Sequence, residues 1–290
     1  MAFLSYLIGG LGLGSVYAII ALGYSMVYGI AKMLNFAHGD VIMVGAFVAY
    51  FALSSFGLPA IVALILSVVA CTVLGIVVEK LAYKPLRGAS SLSVLITAIG
   101  VSYFLQNAAM LMWGTDTKIF PTILEGSLTI GELSIPYLTL LTILSCIVIM
   151  VVLTMFINKT KTGRAMRACS EDKGAASLMG INVNQIISIT FAIGSGLAAI
   201  AAVLLCATYP SVYPTLGSMP GIKAFTAAVL GGIGSIPGAF LGGLLLGVIE
   251  NLARAYISTQ LSDAIVFMVL IVILLIKPTG LLGKKVNVKV

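Results

Sequence analysis

The sequence predicts an all-α, polytopic integral membrane helical bundle of about eight to nine spans, one of them short or broken. Two observations carry this. Only 9% of the 290 residues are charged and 60% are hydrophobic, where a soluble domain is about a quarter charged, and mean hydropathy is +1.18. The Lys and Arg lie in loops between apolar runs, where a membrane topology needs them. No polar stretch is long enough for a soluble domain, so residues 1–290 read as one membrane domain.

Eight apolar runs suit spanning helices: Phe3 to Tyr28, Val41 to Phe56, Ala60 to Val78, Leu92 to Trp113, Tyr137 to Ile157, Ile186 to Ala207, Ala239 to Ile249 with its flanks, and Leu261 to Ile276. The first has no Lys or Arg before Lys32, so it lacks the basic region that opens a cleaved signal peptide and is expected to stay as a span. A ninth run, Ala224 to Ile236, is broken by Gly231, Gly232 and Gly234 and stopped by Pro237. A short or re-entrant helix of that kind is tolerated only where protein or a watery cavity receives its backbone groups.

Charge sets the orientation. Lys80, Lys84 and Arg87 form one basic group, Lys159, Lys161, Arg164, Arg167 and Lys173 a second, and Lys277, Lys284, Lys285 and Lys289 a third. All three are placed in the cytoplasm, the C-terminus with them. The connection from Gly114 to Ile135, with Asp116, Glu125 and Glu132 against Lys118, falls outside, and so does Tyr209 to Pro220. From an outside Tyr209 loop to a cytoplasmic tail the chain must cross an odd number of times, so the glycine-rich run crosses in a short or broken form. The same parity puts the N-terminus outside, and a re-entrant first segment would reverse that.

Between the first and second runs stand Lys32, Asn35, His38, Gly39 and Asp40, a polar break containing glycine. Such residues suit the lining of a cavity or gate for a zwitterion. The simpler reading is a tight turn and the start of the second helix, with Asp40 at the favourable positive end, since a lone His lacks partner ligands and a catalytic mate. Gly45-Ala46-Phe47 and Gly238-Ala239-Phe240 echo one another as corresponding transporter halves do, though three residues recur readily by chance in a chain rich in Gly and Ala.

The longest charged segment is the loop over residues 158–184. Ser170 suits an N-cap, Glu171 and Asp172 the positive end of a helix, and Gly180 a stop. The spacing predicts a helix of about two and a half turns from Glu171 to Met179. Ala175 and Ala176 make it slim, while Leu178 and Met179 give it a protruding apolar end. It could seat in a partner's groove or lie on lipid headgroups, anchored by Arg164 and Arg167; the residues leave both readings open.

Gly231, Gly232, Gly234 and Pro237 either expose backbone groups to a passage or simply let helices approach closely. Lys223, just before them, is expected to snorkel to the interface. Glu250 and Arg254 are spaced to pair with each other at the end of a span. Elsewhere the spans hold almost no acidic or basic residues, which argues against a proton- or voltage-driven device.

Several classes are excluded. The formal net charge of +7 is scattered, without the aromatic and basic interleaving of a nucleic-acid binder. Cys71, Cys146, Cys169 and Cys206 show no CxxC, so neither a disulfide framework nor a zinc or other metal site is expected. An intramembrane protease using His38 with Ser195 or Ser235 lacks a nucleophile elbow and any second His. No G-x-x-x-x-G-K-[ST] phosphate loop occurs, so nucleotide chemistry must come from other subunits and no cofactor is expected here.

Four separated stretches carry a family resemblance. They are Gly23-Tyr24-Ser25-Met26-Val27-Tyr28-Gly29-Ile30; Asn35-Phe36-Ala37-His38-Gly39-Asp40; Gly163-Arg164-Ala165-Met166-Arg167-Ala168-Cys169 with Glu171-Asp172; and Lys223 through Gly238. Over nearly its whole length the chain resembles the LivH-type permease of branched-chain amino-acid ABC importers. The resemblance implies a single permease domain without enzyme activity in a bacterial inner membrane. It implies a second homologous permease, two ATP-binding subunits and a periplasmic or external solute-binding protein as partners. It also implies a cytoplasmic docking loop for the ATPase, with Glu171, Ala175, Ala176 and Gly180 as the counterpart of the family's docking motif and Arg164, Arg167, Asp172 and Leu178 around it. In this sequence the Glu is displaced from the alanines and no Leu-Pro follows. The rival reading is a stand-alone secondary transporter or channel for small amino acids or amides.

Overall fold

The structure is a computed structural model and describes residues 2–131 and 133–283. Glu132 and the basic residues Lys284, Lys285 and Lys289 of the expected tail lie outside the described residues. Eleven α-helices follow in order among them: α1 (Ala2–Ala31), α2 (His38–Ser54), α3 (Ala60–Val78), α4 (Ser91–Trp113), α5 (Tyr137–Lys159), α6 (Lys161–Glu171), α7 (Lys173–Leu178), α8 (Val183–Thr208), α9 (Ser218–Gly231), α10 (Ile236–Tyr256) and α11 (Ser262–Ile276). A π turn over Glu79–Tyr83 and a 3-10 turn over Lys84–Leu86 continue α3.

Each of the eight apolar runs is helical over most of its length, whereas the ninth, Ala224 to Ile236, is helical only to Gly231 and then turns through residues 232–235. Six helices are long and apolar enough to cross a membrane; α2 and α11 are apolar but shorter, with 17 and 15 residues. Helix α9 has 14 residues, about 21 Å at 1.5 Å per residue against a hydrocarbon core of about 30 Å. Length and composition thus support six spans rather than eight or nine. Four short strands were not anticipated: β1 (Lys118–Ile119), β2 (Ser127–Ile130), β3 (Leu133–Pro136) and β4 (Ser211–Val212). β1 pairs with β4 and β2 with β3, both antiparallel, which ties the α4–α5 connection to the α8–α9 connection.

The packing repeats itself. Helix α1 packs on α10 and α8, and α8 packs on α3 and α1; α2 lies against α3 and α8, and α9 against α10 and α1. The run α1 to α4 therefore has a counterpart in α8 to α11. The sequence supports the equivalence at constant spacing: Gly39 with Gly217, Ala46 and Phe47 with Ala224 and Phe225, and Pro59 with Pro237. The echo thus joins α2 to α9, and the resemblance of Gly45–Phe47 to Gly238–Phe240 is fortuitous. Gly194 of α8 faces Gly23 and Val27, while Leu205 shares a cavity wall with Leu13 and Tyr17. The two halves run in opposite directions, as in inverted transporter repeats.

Small residues allow the closest contacts. Gly10 and Gly14 of α1 face Val248 and Leu244 of α10, and Gly243 faces Ala18. Backbones pack where any larger side chain would hold them apart. Large apolar side chains such as Ile61, Phe104 and Leu111 instead point outward from α3 and α4, where lipid is the natural solvent.

Candidate functional site

Two regions hold the residues singled out from sequence. The first is the docking loop, and here the structure corrects the helix expected from Glu171 to Met179. The segment forms two helices, α6 and α7, that break at Asp172 (φ −152°). Glu171 ends α6 instead of opening a helix. Asp172, not Ser170, is the N-cap, accepting from the N–H groups of Gly174 at 2.7 Å and Ala175 at 3.0 Å. Ser170 Oγ donates back to the Arg167 carbonyl at 2.7 Å, and Thr160 caps α6 by accepting from Gly163 N–H at 2.9 Å. The displaced glutamate thus belongs to the helix before the one carrying the alanines.

Helix α6 is amphipathic: Gly163, Met166 and Cys169 are buried and Arg164 and Arg167 exposed. Burial raises the Cys169 thiol above its ordinary range, so it stays protonated and inert. In α7, Ala176 is buried within this chain, whereas Leu178 and Met179 are 91% and 83% exposed. Gly180, at φ +81°, is the stop the sequence indicated. A groove of about 340 Å³ runs between α6 and α7, lined by Ala168, Glu171, Asp172, Ala175, Met179 and Ile181.

Lys173 connects this loop to the bundle. Its Nζ donates to the Ala31 carbonyl at 2.6 Å, placing a cation on the negative end of α1. Burial, with Arg87 and Lys32 nearby, lowers its pKa. Next to Ala31 the chain reverses at Lys32, whose φ of 57° is left-handed.

The second region is the polar break. His38, in the first turn of α2, packs against Gly23, about two turns before the end of α1. Residues 32–37 therefore fold back along α1 and α2 begins inside the bundle. Asn35 accepts from the Tyr83 hydroxyl at 2.8 Å. His38 is buried edge-on to Tyr24, with ring centroids 4.6 Å apart, and its Nε2 has no hydrogen-bond partner among the described residues. Asp40 sits in the first turn of α2 as expected, and accepts from Gln106 Nε2 at 2.8 Å. The same nitrogen lies 3.2 Å from Ser102 Oγ and 3.3 Å from Ser218 Oγ. Gln106 thereby ties the start of α2 to the start of α9. Sequence reasoning missed Gln106 and Ser218 because neither stands near the motif in the chain.

Gly39 meets Gly217 where both helices begin. Gly231, Gly232, Gly234 and Pro237 lie at the far end of α9, so the two sets of pathway candidates are not brought together. There Gly231 packs against the carbonyl of Gly238, and Gly234 N–H donates to Ser25 Oγ at 3.2 Å. Gly232 and Gly234 have φ of 105° and 91°, values that favour glycine. Pro237 occupies the first turn of α10, which Ser235 caps.

Lys223 does not snorkel. It is 4% exposed and donates to Glu250 Oε1 at 2.8 Å and Asp263 Oδ1 at 2.6 Å. Glu250 also pairs with Arg254, as the spacing indicated. A further buried acid, Glu79, accepts from Arg87 and Ser188. Buried ionisable groups thus sit in the bundle with partners that the sequence alone does not bring together, Lys223 with Glu250 and Asp263 above all.

Residues 6–274 match the family described as branched-chain amino acid transport system / permease component. The high-affinity branched-chain amino acid transport system permease protein BraD of Pseudomonas aeruginosa is 48% identical, over 97% of this chain and 96% of its own length. The corresponding permease protein LivH of Escherichia coli is 43% identical over the same shares. Among solved structures, PsaBC of Streptococcus pneumoniae in complex with Fab covers 94% of this chain and 92% of its own, with a TM-score of 0.50 and 14% identity. That likeness concerns the fold alone.

Proposed function

This chain belongs to the branched-chain amino acid transport permease family, and we propose that it forms half of the translocation pathway of an ATP-driven importer for leucine, isoleucine and valine. The other half is a second homologous permease, two ATP-binding subunits supply the energy, and an external binding protein delivers substrate. The assembly sits in the bacterial inner membrane with α7 and the C-terminus in the cytoplasm. Helix α11 joins the six long helices as a crossing, and α2 and α9 act as partial crossings that start inside the bundle, which brings the number of membrane-embedded apolar helices to nine.

The observation that carries this reading is the hydrogen bond from Lys173 to the Ala31 carbonyl. A helix with an exposed apolar tip is thereby fixed to the end of the helix that leads directly into the polar break. The ATPase pair grips Leu178 and Met179 with the groove beside them, flanked by Arg164 and Arg167. Closure of that pair moves α7 and, through Lys173, the end of α1 and the residues Asn35 to Asp40. Movement of this kind switches the bundle between outward- and inward-open states.

Reconstitution tests the reading. Vesicles holding this chain, its partner permease and the ATP-binding subunits, supplied with the binding protein, are expected to accumulate leucine only with ATP inside the compartment that faces α7. Accumulation by this chain alone would instead support a stand-alone transporter.

A further inference from the structure

At the end of the bundle away from α7, a cavity of about 280 Å³ opens between α1, the end of α8 with the connection that follows it, α9, the end of α10 and the start of α11. Its wall includes Tyr17, Leu205 and Leu216 beside Lys223, Arg254 and Asp263. The volume is just under the usual range of about 300–1,000 Å³ for small-molecule sites, so it suits one small ligand and excludes a peptide. Apolar and oppositely charged groups share one small wall, an arrangement that packing alone does not require.

The charges are paired, but incompletely. Lys223 bridges Glu250 and Asp263, and Arg254 binds Glu250 through the oxygen that Lys223 also uses. Glu250 is fully buried; among the described residues its second oxygen and the buried Nε of Arg254 lack a geometrically sound hydrogen bond, and the Tyr17 hydroxyl stands beside the Glu250 carboxylate. Unpartnered buried polar atoms are costly. The side chains of Arg254 and Asp263 are 32% and 42% exposed, which makes them the members of the cluster that a ligand in the cavity can reach.

We infer that this cavity is a low-affinity site for one aliphatic α-amino acid in its zwitterionic form, the carboxylate on Arg254 and the ammonium on Asp263. The inference rests on the transport reading above. When the ligand enters, Asp263 exchanges Lys223 for the ammonium and Arg254 exchanges Glu250 for the carboxylate. Lys223 stays on Glu250, whose free oxygen gives it a second point of attachment, so every charge remains paired. Leu205 and Leu216 receive the aliphatic side chain. Because ion pairs are traded for ion pairs, net affinity is small, which suits a site that must pass its ligand onward.

The test uses the assembled complex in nanodiscs without the binding protein, with ligand-observed saturation-transfer NMR as the readout. Leucine is expected to give a signal that saturates in the millimolar range. Its deaminated and decarboxylated counterparts, 4-methylpentanoate and 3-methylbutylamine, are expected not to compete. Asp263→Asn and Arg254→Gln each weaken leucine binding at least tenfold, with assembly retained. Met219→Trp, which fills the cavity from a 42% exposed position, abolishes binding without altering any charge and decides the matter if a charge variant fails to assemble. No leucine signal in the wild type, equal affinity across the variants, or competition by either analogue overturns the site. Failure of the wild-type complex to accumulate leucine with ATP and the binding protein overturns the transport reading instead.

Discussion

Gly39 and Gly217 touch backbone to backbone where α2 and α9 begin. A Cβ on Gly39 would lie 2.5 Å from the Gly217 carbonyl oxygen, and a Cβ on Gly217 would overlap the Gly39 carbonyl. Each neighbour is main chain and cannot rotate away. Gly39→Ala and Gly217→Ala are each expected to destabilise the bundle by about 1–3 kcal/mol, the cost of overpacking. Gly100→Ala, on the exposed face of α4 with nothing within 4 Å of the new Cβ, is expected to stay within about 1 kcal/mol of the parent. Thermal midpoints in detergent check the contrast; equal midpoints for all three would mean that the two helix starts are not in contact.

Asp40 accepts from Gln106, with the Ser102 hydroxyl beside it. Replacing Gln106 with Leu leaves a buried carboxylate without the donor at 2.8 Å and costs about 1–3 kcal/mol. Asp40→Asn in the same chain removes the charge and is expected to recover part of that loss. A double-mutant cycle on thermal stability gives the coupling; strictly additive effects would show that Asp40 and Gln106 do not interact.

The continuous apolar runs of the chain made every long helix legible, because lipid-facing and buried positions are apolar alike. The glycine stop at Gly180 was legible for the same local reason. Interactions across the chain were not. Lys223 reads as a snorkelling lysine until Glu250 and Asp263 are placed beside it by α10 and α11. The break at Asp172 was hidden because Ser170, Glu171 and Asp172 all favour a helix start, and only the folded chain selects among them. Ser170 loses because its hydroxyl is engaged with the preceding turn. The α2 to α9 equivalence was missed because few identical residues mark it, and its evidence lies in which helices pack together.

Leu178 and Met179 project from α7 without contributing to this chain's core. Leu178→Asp and Met179→Asp are therefore expected to leave the thermal midpoint of the isolated permease within about 0.5 kcal/mol of stability, and to reduce recovery of the ATP-binding subunits in co-purification at least fivefold. Ala176→Trp behaves differently: Ala176 is 5% exposed, so a bulky side chain there disrupts the permease itself and says nothing about docking. Full recovery of the ATP-binding subunits with both aspartates in place would assign α7 to the lipid surface.

Lys173 distinguishes gripping from transmission. Its amine reaches the end of α1 at 2.6 Å, and its side chain contributes no apolar surface to the tip formed by Leu178 and Met179. If α7 only anchors the ATPase, Lys173→Met should preserve both assembly and uptake. If the lysine carries motion to α1, Lys173→Met keeps the complex assembled and hydrolysing ATP while leucine uptake falls at least fivefold. Lys173→Arg, which retains a cation able to donate to the same carbonyl, should restore part of the uptake. The ratio of leucine moved to ATP hydrolysed is the informative measurement, because loss of structure lowers both quantities together and loss of coupling lowers only their ratio. An unchanged ratio in Lys173→Met would confine this residue to capping α1.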